Sequence, residues 1–397
     1  MVRAQTLLLP LLPADLLEEV HTRFGMFVEE LVNPGAVERD RTATPMPREV
    51  MLEAGRLGLL GFTLPEHVGG GGRTWREWGL VLHELGYICR DTSLPMLLAY
   101  CSTVTKMLYE TDRPELLTRY VAPMVKGECL GGFGWSEGHD PFSFTTIVRK
   151  KGETYVLSGQ KVPIANGLIA DVFMIFAKSE ETGDVVCLLV EREDPRVEIT
   201  PYNAMGLRAA GMARVEFGDV TIPSWRVLRG SDGLSYGQQF LNDRRMEMPC
   251  WALGRMRVLF ETCVHDLAHR IRYGLPLTEM QTIQAAIGKM YVSLEASRLT
   301  VSTMLDDVDR GGRDTLWDPA LAVAKCVVIE HALQMCRTIQ DITGGAGVFE
   351  QGPYERLVRD LQCLNPIAGT LATLQVDLGV LVTAEVERTL KSRELRG

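Results

Sequence analysis

The hydrophobic period changes twice along this chain, and this change constrains the fold more than any other feature. From Ala14 to about Val125 apolar residues recur every three or four positions, the pattern of helices that face a core. Between Gly127 and Gly230 short runs rich in Val, Ile, Phe and Thr are bounded by Gly, Asp and Pro, which predicts strands. After Asp232 the helical period returns. The chain therefore consists of helices, then strands, then helices.

These periods predict an α+β, multi-domain and mostly α fold. We expect an N-terminal helical domain over residues 1–125, a central antiparallel β domain or barrel over 126–231 and a C-terminal four-helix bundle over 232–397. In the last part, helical periods run near Leu241–Tyr273, Leu277–Arg310 and Pro319–Gly344, and a shorter set follows Pro353. Helices of this length with short Gly or Pro joints are typical of antiparallel bundles.

Composition limits the classes of partner and compartment. The 42 Lys and Arg residues are outnumbered by 51 Asp and Glu, so the net charge of -9 argues against nucleic acid as a partner. The nine cysteines include no Cys-x-x-Cys pair, which indicates reduced thiols and a cytoplasmic protein. We expect no membrane span, because no apolar stretch approaches ~20 residues. The Thr6–Pro13 run is broken by two prolines, so we expect it to pack on the first helix.

Seven short motifs follow one another in a specific order. They are Gly58–Gly70, Tyr155–Gly167, Met205–Arg208, Phe217–Pro223, Arg270–Gln281, Gln340–Gly347 and Pro353–Asp360. Each motif alone is weak, but their order and spacing together are strong. From about Met51 to Thr370 the chain resembles the acyl-CoA dehydrogenase family through these motifs.

The resemblance implies dimers or tetramers that hold FAD between the β domain and the bundles of two subunits. By position, Arg270 would meet the FAD pyrophosphate, for which a guanidinium fork is well shaped. The other positions that the resemblance assigns to the cofactor are Trp135, Ser136 and Ala165 at the flavin ring, Tyr273, Gln281 and Thr370 along FAD, and Gln340, Gly344 and Gly345 at the FAD of a neighbouring subunit. A buried Arg or Gln in a bundle is often a packing residue, but the motifs favour the cofactor interpretation.

The chain departs from the family at the residue that takes the substrate's α-proton. The family's usual Glu falls in the stretch Ile367–Thr370, where this chain has Ala368. A second branch of the family carries its Glu on the first bundle helix just before an Arg, where this chain has Arg244-Arg245.

Two nearby carboxylates are candidates for a relocated base. Glu247 lies three residues beyond Arg244, on a similar helix face. Asp243 directly precedes Arg244. The alternative for both is an ion pair with neighbouring arginines.

The flavin and substrate contacts have also changed. Pro163 and Ala165 replace the family's aromatic shield and its hydroxyl donor, and the loop Ser136–Asp140 is shortened. We assign His139 of this loop to substrate binding, together with Arg244 and Arg245. FAD could therefore be held differently, loosely or not at all.

The sequence contains one pattern that resembles a metal site. His265 and His269 have the i, i+4 spacing of a zinc pair, and Asp266 lies between them. No third ligand follows at a familiar distance, so we predict no metal.

Three functions remain open. The first is an FAD-dependent oxidoreductase that acts on an acyl thioester of coenzyme A or of an acyl-carrier protein, a description that suits biosynthetic members of the family. The second is a flavin-dependent monooxygenase on the same fold. The third is a non-redox enzyme or acyl-binding protein that has lost flavin. We prefer the first, because more cofactor motifs survive than are lost.

Overall fold

The computed structural model describes residues 8, 11–138, 143–310 and 317–394 of the 397-residue chain. Its first part is helical, as the apolar period predicts. The helices are Ala14–Phe27 (α1), Ala36–Thr42 (α2), Arg48–Arg56 (α3), Trp75–Ile88 (α4), Ser93–Tyr109 (α5), Pro114–Leu116 (α6) and Ala122–Val125 (α7). Helix α4 starts at a capping box in which Thr74 and Glu77 bond each other's backbone N–H groups.

The middle part is an eight-stranded sheet that has a hydrophobic core of its own. The strands are Gly131–Gly134 (β1), Ile147–Lys151 (β2), Thr154–Ile164 (β3), Val172–Ser179 (β4), Val185–Glu191 (β5), Val197–Pro201 (β6), Ala213–Pro223 (β7) and Val227–Arg229 (β8). Their order is β6-β7-β3-β2-β4-β5-β8, and β1 pairs with β4. Most neighbours are antiparallel, but β4 runs parallel to both β1 and β2. The sheet is therefore mixed where the chain crosses from β1 to β4.

The last part is dominated by long helices. They are Gly233–His269 (α8), Gln281–Asp309 (α9), Pro319–Thr343 (α10), Glu355–Gln362 (α11) and Leu371–Glu394 (α12), and a hairpin of Ile271–Arg272 (β9) and Leu275–Pro276 (β10) joins α8 to α9. The first of these helices ends at His269 rather than near Tyr273, because Arg270 already takes an extended conformation; Tyr273 and Gly274, with positive φ, then form the hairpin turn. The predicted mostly α fold, with a β part between two helical parts, is confirmed.

The N-terminal helices and the C-terminal helices share one hydrophobic core. Trp78 and Leu82 of α4 belong to the same buried cluster as Trp251 and Met256 of α8. The two helices approach closely because both carry glycine at the contact: a Cβ at Gly254 would lie 2.2 Å from the His83 carbonyl oxygen. This packing places side chains of α4 and α5 directly against the middle of α8.

One helical stretch of the described chain has the length and apolar composition of a membrane span. This stretch is Pro319–Gly347, and 50% of its most apolar window is buried inside the protein. A core helix of a bundle has the same composition.

Candidate active site

The segment around Ala368, which the resemblance matches to the family's usual base, is held by two basic side chains. Lys325 of α10 is fully buried, and its Nζ donates to the main-chain carbonyls of Asn365, Ile367 and Gly369. Arg245 of α8 donates from Nε to the Ala368 carbonyl at 3.1 Å. Ala368 itself adopts a left-handed φ of 56°. The segment is thus fixed by its backbone, and its side chain offers no proton acceptor.

Burial changes the acidity of both cations. Burial, together with the neighbouring Arg245 guanidinium, lowers the pKa of Lys325 to about 7. Burial also lowers the pKa of Arg245 to about 10, against the attraction of Asp377. Both side chains remain hydrogen-bonded to carbonyl oxygens, which are neutral acceptors suited to a positive group. Positive charge therefore borders the Ala368 segment.

Glu247 lies in a fully buried polar cluster between three helices. It accepts a hydrogen bond from Trp78 Nε1 of α4 at 2.8 Å and one from Thr103 Oγ1 of α5 at 3.3 Å. Arg244 of the same helix forms a salt bridge to its second oxygen and also donates to the Ala99 carbonyl at 2.6 Å. Burial lowers the pKa of Arg244 to about 10. The ion pair weighed as the alternative role for Glu247 is present in the structure, so its role as a base stays a prediction.

Asp243 occupies a less buried position on the outer side of α8. Its carboxylate accepts from Lys106 Nζ at 2.8 Å, and Lys106 also lies 3.6 Å from Glu110. The pKa of Lys106 is raised: burial opposes this shift, but the attraction of Asp243 and Glu110 outweighs it. Asp243 is therefore paired with a lysine of α5, and its role as a base also stays a prediction.

The end of β1, which is matched to the flavin ring, is tied to the neighbouring strand by a buried ion pair. Lys161 donates to the Trp135 carbonyl at 2.9 Å and to Glu137 at 2.6 Å. Burial raises the pKa of Glu137, but bonds from Lys161 and Thr145 overcome it and bring this pKa to about 2. Burial lowers the pKa of Lys161 to about 8. This pair fixes the backbone of the strand end.

The side chains assigned to the flavin ring lie in different environments at this end of β1. The Trp135 ring packs on α8, where a Cβ at Gly237 would lie 2.0 Å from it, while Ser136 is exposed. Pro163 is exposed and Ala165 is half-buried, so neither supplies the hydroxyl or the ring that the family has there. His139 lies outside the described residues.

The motif of Arg270, which was assigned to the FAD pyrophosphate, and the motif Gln340–Gly347, which was assigned to the FAD of a neighbouring subunit, meet at the far end of the bundle. Arg270 Nη2 donates to the Thr343 carbonyl at 3.2 Å, immediately before the turn at Gly344. Gly344 has φ 61°, and a Cβ there would meet no atom within 4 Å. A guanidinium beside an open glycine turn has the donor chemistry that a pyrophosphate requires. This end of the protein fits the phosphate portion of FAD.

The remaining residues assigned to the cofactor surround this cradle or lie elsewhere. Tyr273 is 90% exposed in the hairpin turn, and Gln281 is exposed at the start of α9. Gln340 lies one turn before Gly344 and packs on the Gly347 backbone, and Gly345 is exposed next to Phe349. Thr370 bonds the Thr373 hydroxyl at 2.8 Å and its N–H at 3.1 Å, so it caps the start of α12.

The ring end and the phosphate end are far apart within one chain. Trp135 contacts α8 at Gly237, whereas Arg270 follows the last residue of α8. At a rise of 1.5 Å per residue these positions are on the order of 50 Å apart along the helix. On the cofactor positions that the resemblance assigns, the two ends in one chain would therefore belong to different FAD molecules.

Several residues of the site were not identified from the sequence. Lys325, Lys161, Trp78 and Thr103 hold the backbone or the carboxylates described above. Lys161 lies in the motif Tyr155–Gly167 but was given no role, and the other three lie outside the motifs. Lys325 does carry a signal, since it is a single charge within the apolar stretch 319–329 of α10. The predicted absence of a metal site is not contradicted: across the described ranges no three His, Cys, Asp or Glu side chains converge on a possible ion.

Comparison with known proteins agrees with this architecture. Models of the N-terminal, middle and C-terminal domains of acyl-CoA dehydrogenase match residues 16–128, 134–220 and 231–378. The probable acyl-CoA dehydrogenase YngJ of Bacillus subtilis is 26% identical over 382 residues, which cover 93% of this chain and 95% of YngJ.

Solved structures show the same fold. Butyryl-CoA dehydrogenase from Megasphaera elsdenii superposes with a TM-score of 0.86 at 24% identity, covering 94% of this chain and 99% of that one. The prolyl acyl carrier protein oxidase AnaB superposes with a TM-score of 0.85 at 20% identity, with coverage of 94% and 99%. The chain therefore belongs to the acyl-CoA dehydrogenase family of flavoprotein oxidoreductases.

Proposed function

We propose that this protein is an FAD-dependent oxidoreductase that acts on an acyl thioester carried by coenzyme A or by an acyl-carrier protein. The observation that carries the proposal is the cradle at the bundle end, where Arg270 and the open Gly344 turn come together. Bound there, FAD would supply the acceptor for the two electrons and the hydrogen removed from the substrate.

The geometry supports a cofactor shared by two copies of the chain. The cradle and the Trp135 strand end lie at opposite ends of α8, so each FAD needs the cradle of one copy and the strand end of another. The hairpin residues Ile271 and Tyr273 are 64% and 90% exposed, as expected for a surface that a second copy covers. We therefore expect a dimer or tetramer, and a monomer that retains FAD in sedimentation experiments would contradict this arrangement.

Proton removal is assigned to Glu247 or Asp243. Glu247 is the deeper of the two, and its bonds from Trp78 and Arg244 orient the carboxylate. Arg245 and Lys325 hold the Ala368 segment, and their charge would favour an enolate-like oxygen of a thioester placed beside it. A substrate with an unusually acidic α-proton would need a weaker base than the family's usual Glu.

A carrier-protein or coenzyme A substrate and a cytoplasmic location complete the proposal. YngJ is described as a probable acyl-CoA dehydrogenase. One structural neighbour is a butyryl-CoA dehydrogenase and another is described as a prolyl acyl carrier protein oxidase. All nine cysteines are free thiols in the structure, which suits a reducing compartment.

The test is the visible spectrum of the purified protein, followed by anaerobic addition of short acyl thioesters of coenzyme A and of acyl-carrier protein. We expect a flavin band that bleaches with one substrate class. Glu247→Gln or Asp243→Asn should retain the band and lose the bleaching. Glu110→Gln is the matched control, because it removes a carboxylate from the Lys106 cluster while leaving Asp243 in place.

Two results would favour the other functions. A bound flavin that no thioester bleaches, but whose reduced form consumes oxygen with substrate, would indicate a monooxygenase. A protein that shows no flavin band even after FAD is supplied would refute both flavin functions.

A further inference from the structure

A cavity of about 880 Å³ lies outside the site described above, since neither Ala368 nor the side chains that hold its segment line it. Its walls are the end of α4, the second half of α8, and the segment 348–359 that includes the start of α11. On α8 the cavity residue Arg255 is ten positions beyond Arg245, or about 15 Å along the helix. Thr262, the last α8 residue that lines the cavity, is eight positions before Arg270, or about 12 Å along the helix, and neither Arg270, Gly344 nor Trp135 lines it.

The cavity is lined by more arginine charge than the surrounding carboxylates neutralise. Its acidic residues Asp40 and Glu355 both pair with Arg359, and Glu261 pairs with Arg257. Four further arginines line it without a carboxylate in salt-bridge distance among the described residues: Arg90, Arg208, Arg255 and Arg356. Glu350 is the one lining carboxylate that remains to oppose them. Because two of the lining carboxylates share Arg359, the cavity carries an excess of about two positive charges.

Arg255 is the most unusual member of this group, because it is 98% buried. Its exposed fraction is 2%, and its Nη1 donates to the Gly86 carbonyl at 3.1 Å and to that of Cys89. Its Nε has no hydrogen-bond partner. Asp360 acts on it only from beyond salt-bridge distance. Burying a guanidinium that has an unused donor and no paired anion costs free energy, unless a ligand accepts the hydrogen bond and balances the charge.

Arg356 repeats this pattern at the opposite wall. Its Nη2 donates to the Arg90 carbonyl at 2.9 Å, which links the two walls, while its Nη1 is buried without a partner. Apolar surface lies beside these donors, from Ile88 and Val258 and the ring of Tyr87. Converging guanidinium groups beside an apolar wall are suited to a ligand that has both phosphate and a flat ring.

We propose that this cavity binds a phosphoanhydride anion, either as free pyrophosphate or as the diphosphate of a nucleotide. The buried Arg255 and the bridging Arg356 bind the phosphate oxygens, and the Tyr87 side of the cavity accepts the ring when one is present. The volume is within the range of small-ligand sites, which is roughly 300–1,000 Å³.

The test is calorimetric titration of the FAD-saturated protein with inorganic pyrophosphate and, separately, with ADP. Saturation with FAD keeps both probes out of the flavin site. We expect wild type to bind, and Arg356→Gln and Arg90→Gln to bind at least tenfold more weakly. Tighter binding of ADP than of pyrophosphate would identify the nucleotide as the source of the anion, and the reverse would identify free pyrophosphate.

Arg56→Gln is the matched control, since Arg56 is exposed on α3, outside the cavity, and pairs with Glu53. Absence of binding to wild type would overturn the proposal. Equal weakening in all three variants, or binding that survives Arg356→Gln and Arg90→Gln, would overturn it as well, because either result indicates general surface attraction. None of these readouts depends on oxidoreductase activity.

Discussion

The buried Arg244–Glu247 pair gives the most quantitative prediction. Arg244 is 6% exposed and Glu247 is 0% exposed, so neither charge has water to replace its partner. Breaking a buried pair from one side typically costs about 3–5 kcal/mol. Each survivor here keeps neutral partners, Arg244 at the Ala99 carbonyl and Glu247 at Trp78 Nε1. We therefore expect Glu247→Gln and Arg244→Met each to lower the free energy of unfolding by about 3 kcal/mol.

The double variant distinguishes an ion pair from independent contributions. With Arg244→Met and Glu247→Gln together, no buried charge remains and the Gln oxygen still accepts from Trp78. We expect a loss of about 3 kcal/mol or less, where additive behaviour would give about 6 kcal/mol. The measurement is urea unfolding of FAD-saturated protein at one protein concentration, followed by circular dichroism and by tryptophan fluorescence to check that the transitions coincide.

A half-exposed pair supplies the control. Arg298 and Glu295 of α9 lie 2.9 Å apart with side chains 25% and 23% exposed, so their single variants should each change stability by less than ~1 kcal/mol. A double variant at Arg244 and Glu247 that loses the full sum would refute the reasoning. A Glu247→Gln protein as stable as wild type would also refute it. In that case any loss of activity in this variant would come from the lost carboxylate and not from destabilisation of the fold.

Three further predictions follow from other parts of the structure. Burial raises the pKa of Asp360 to about 6 from 3.8, so its contribution to stability is present below pH ~4 and is lost as the pH rises through ~6; Asp360→Asn should therefore gain about 3 kcal/mol on wild type between pH 4 and pH 7 in urea unfolding, and a constant difference would contradict this. Arg270→Gln should weaken FAD binding roughly 10- to 150-fold in fluorescence titration, whereas Arg272→Gln in the same hairpin should not; equal effects would argue against the cradle. Lys161→Met should destabilise the protein by about 3 kcal/mol or more in thermal or urea unfolding, since Glu137 would lose the cation that pairs with it, and a loss below ~1 kcal/mol would show that neutral donors such as Thr145 and Thr146 suffice.

The sequence was a reliable guide where a periodic or ordered pattern carried the information. The changes of period around residues 126 and 232 predicted the order of helical and β parts, because a buried face must repeat with the geometry of its element. The ordered motifs indicated the family. They also directed attention to Arg270 and to the glycines near 344, which the structure brings together.

The sequence was a poor guide to what each carboxylate contacts. Glu247 and Asp243 were identified as candidates from their spacing on one helix, but their partners Trp78, Thr103 and Lys106 lie more than 130 positions away in the chain. Lys325 illustrates the same limit: its acceptors are backbone carbonyls of a distant segment, and a backbone carbonyl has no signature in sequence.

The sequence by itself thus determined the order of helical and β parts and the family, and it has Ala368, which carries no ionisable group whatever surrounds it, where the resemblance expects the usual Glu. Only the tertiary structure decided that two buried cations hold the Ala368 segment and that both candidate carboxylates are ion-paired. It also decided that the two ends of the proposed cofactor site lie at opposite ends of one long helix. The physical reason is that secondary structure follows from local periodicity, whereas burial, pairing and charge depend on which distant helices pack together.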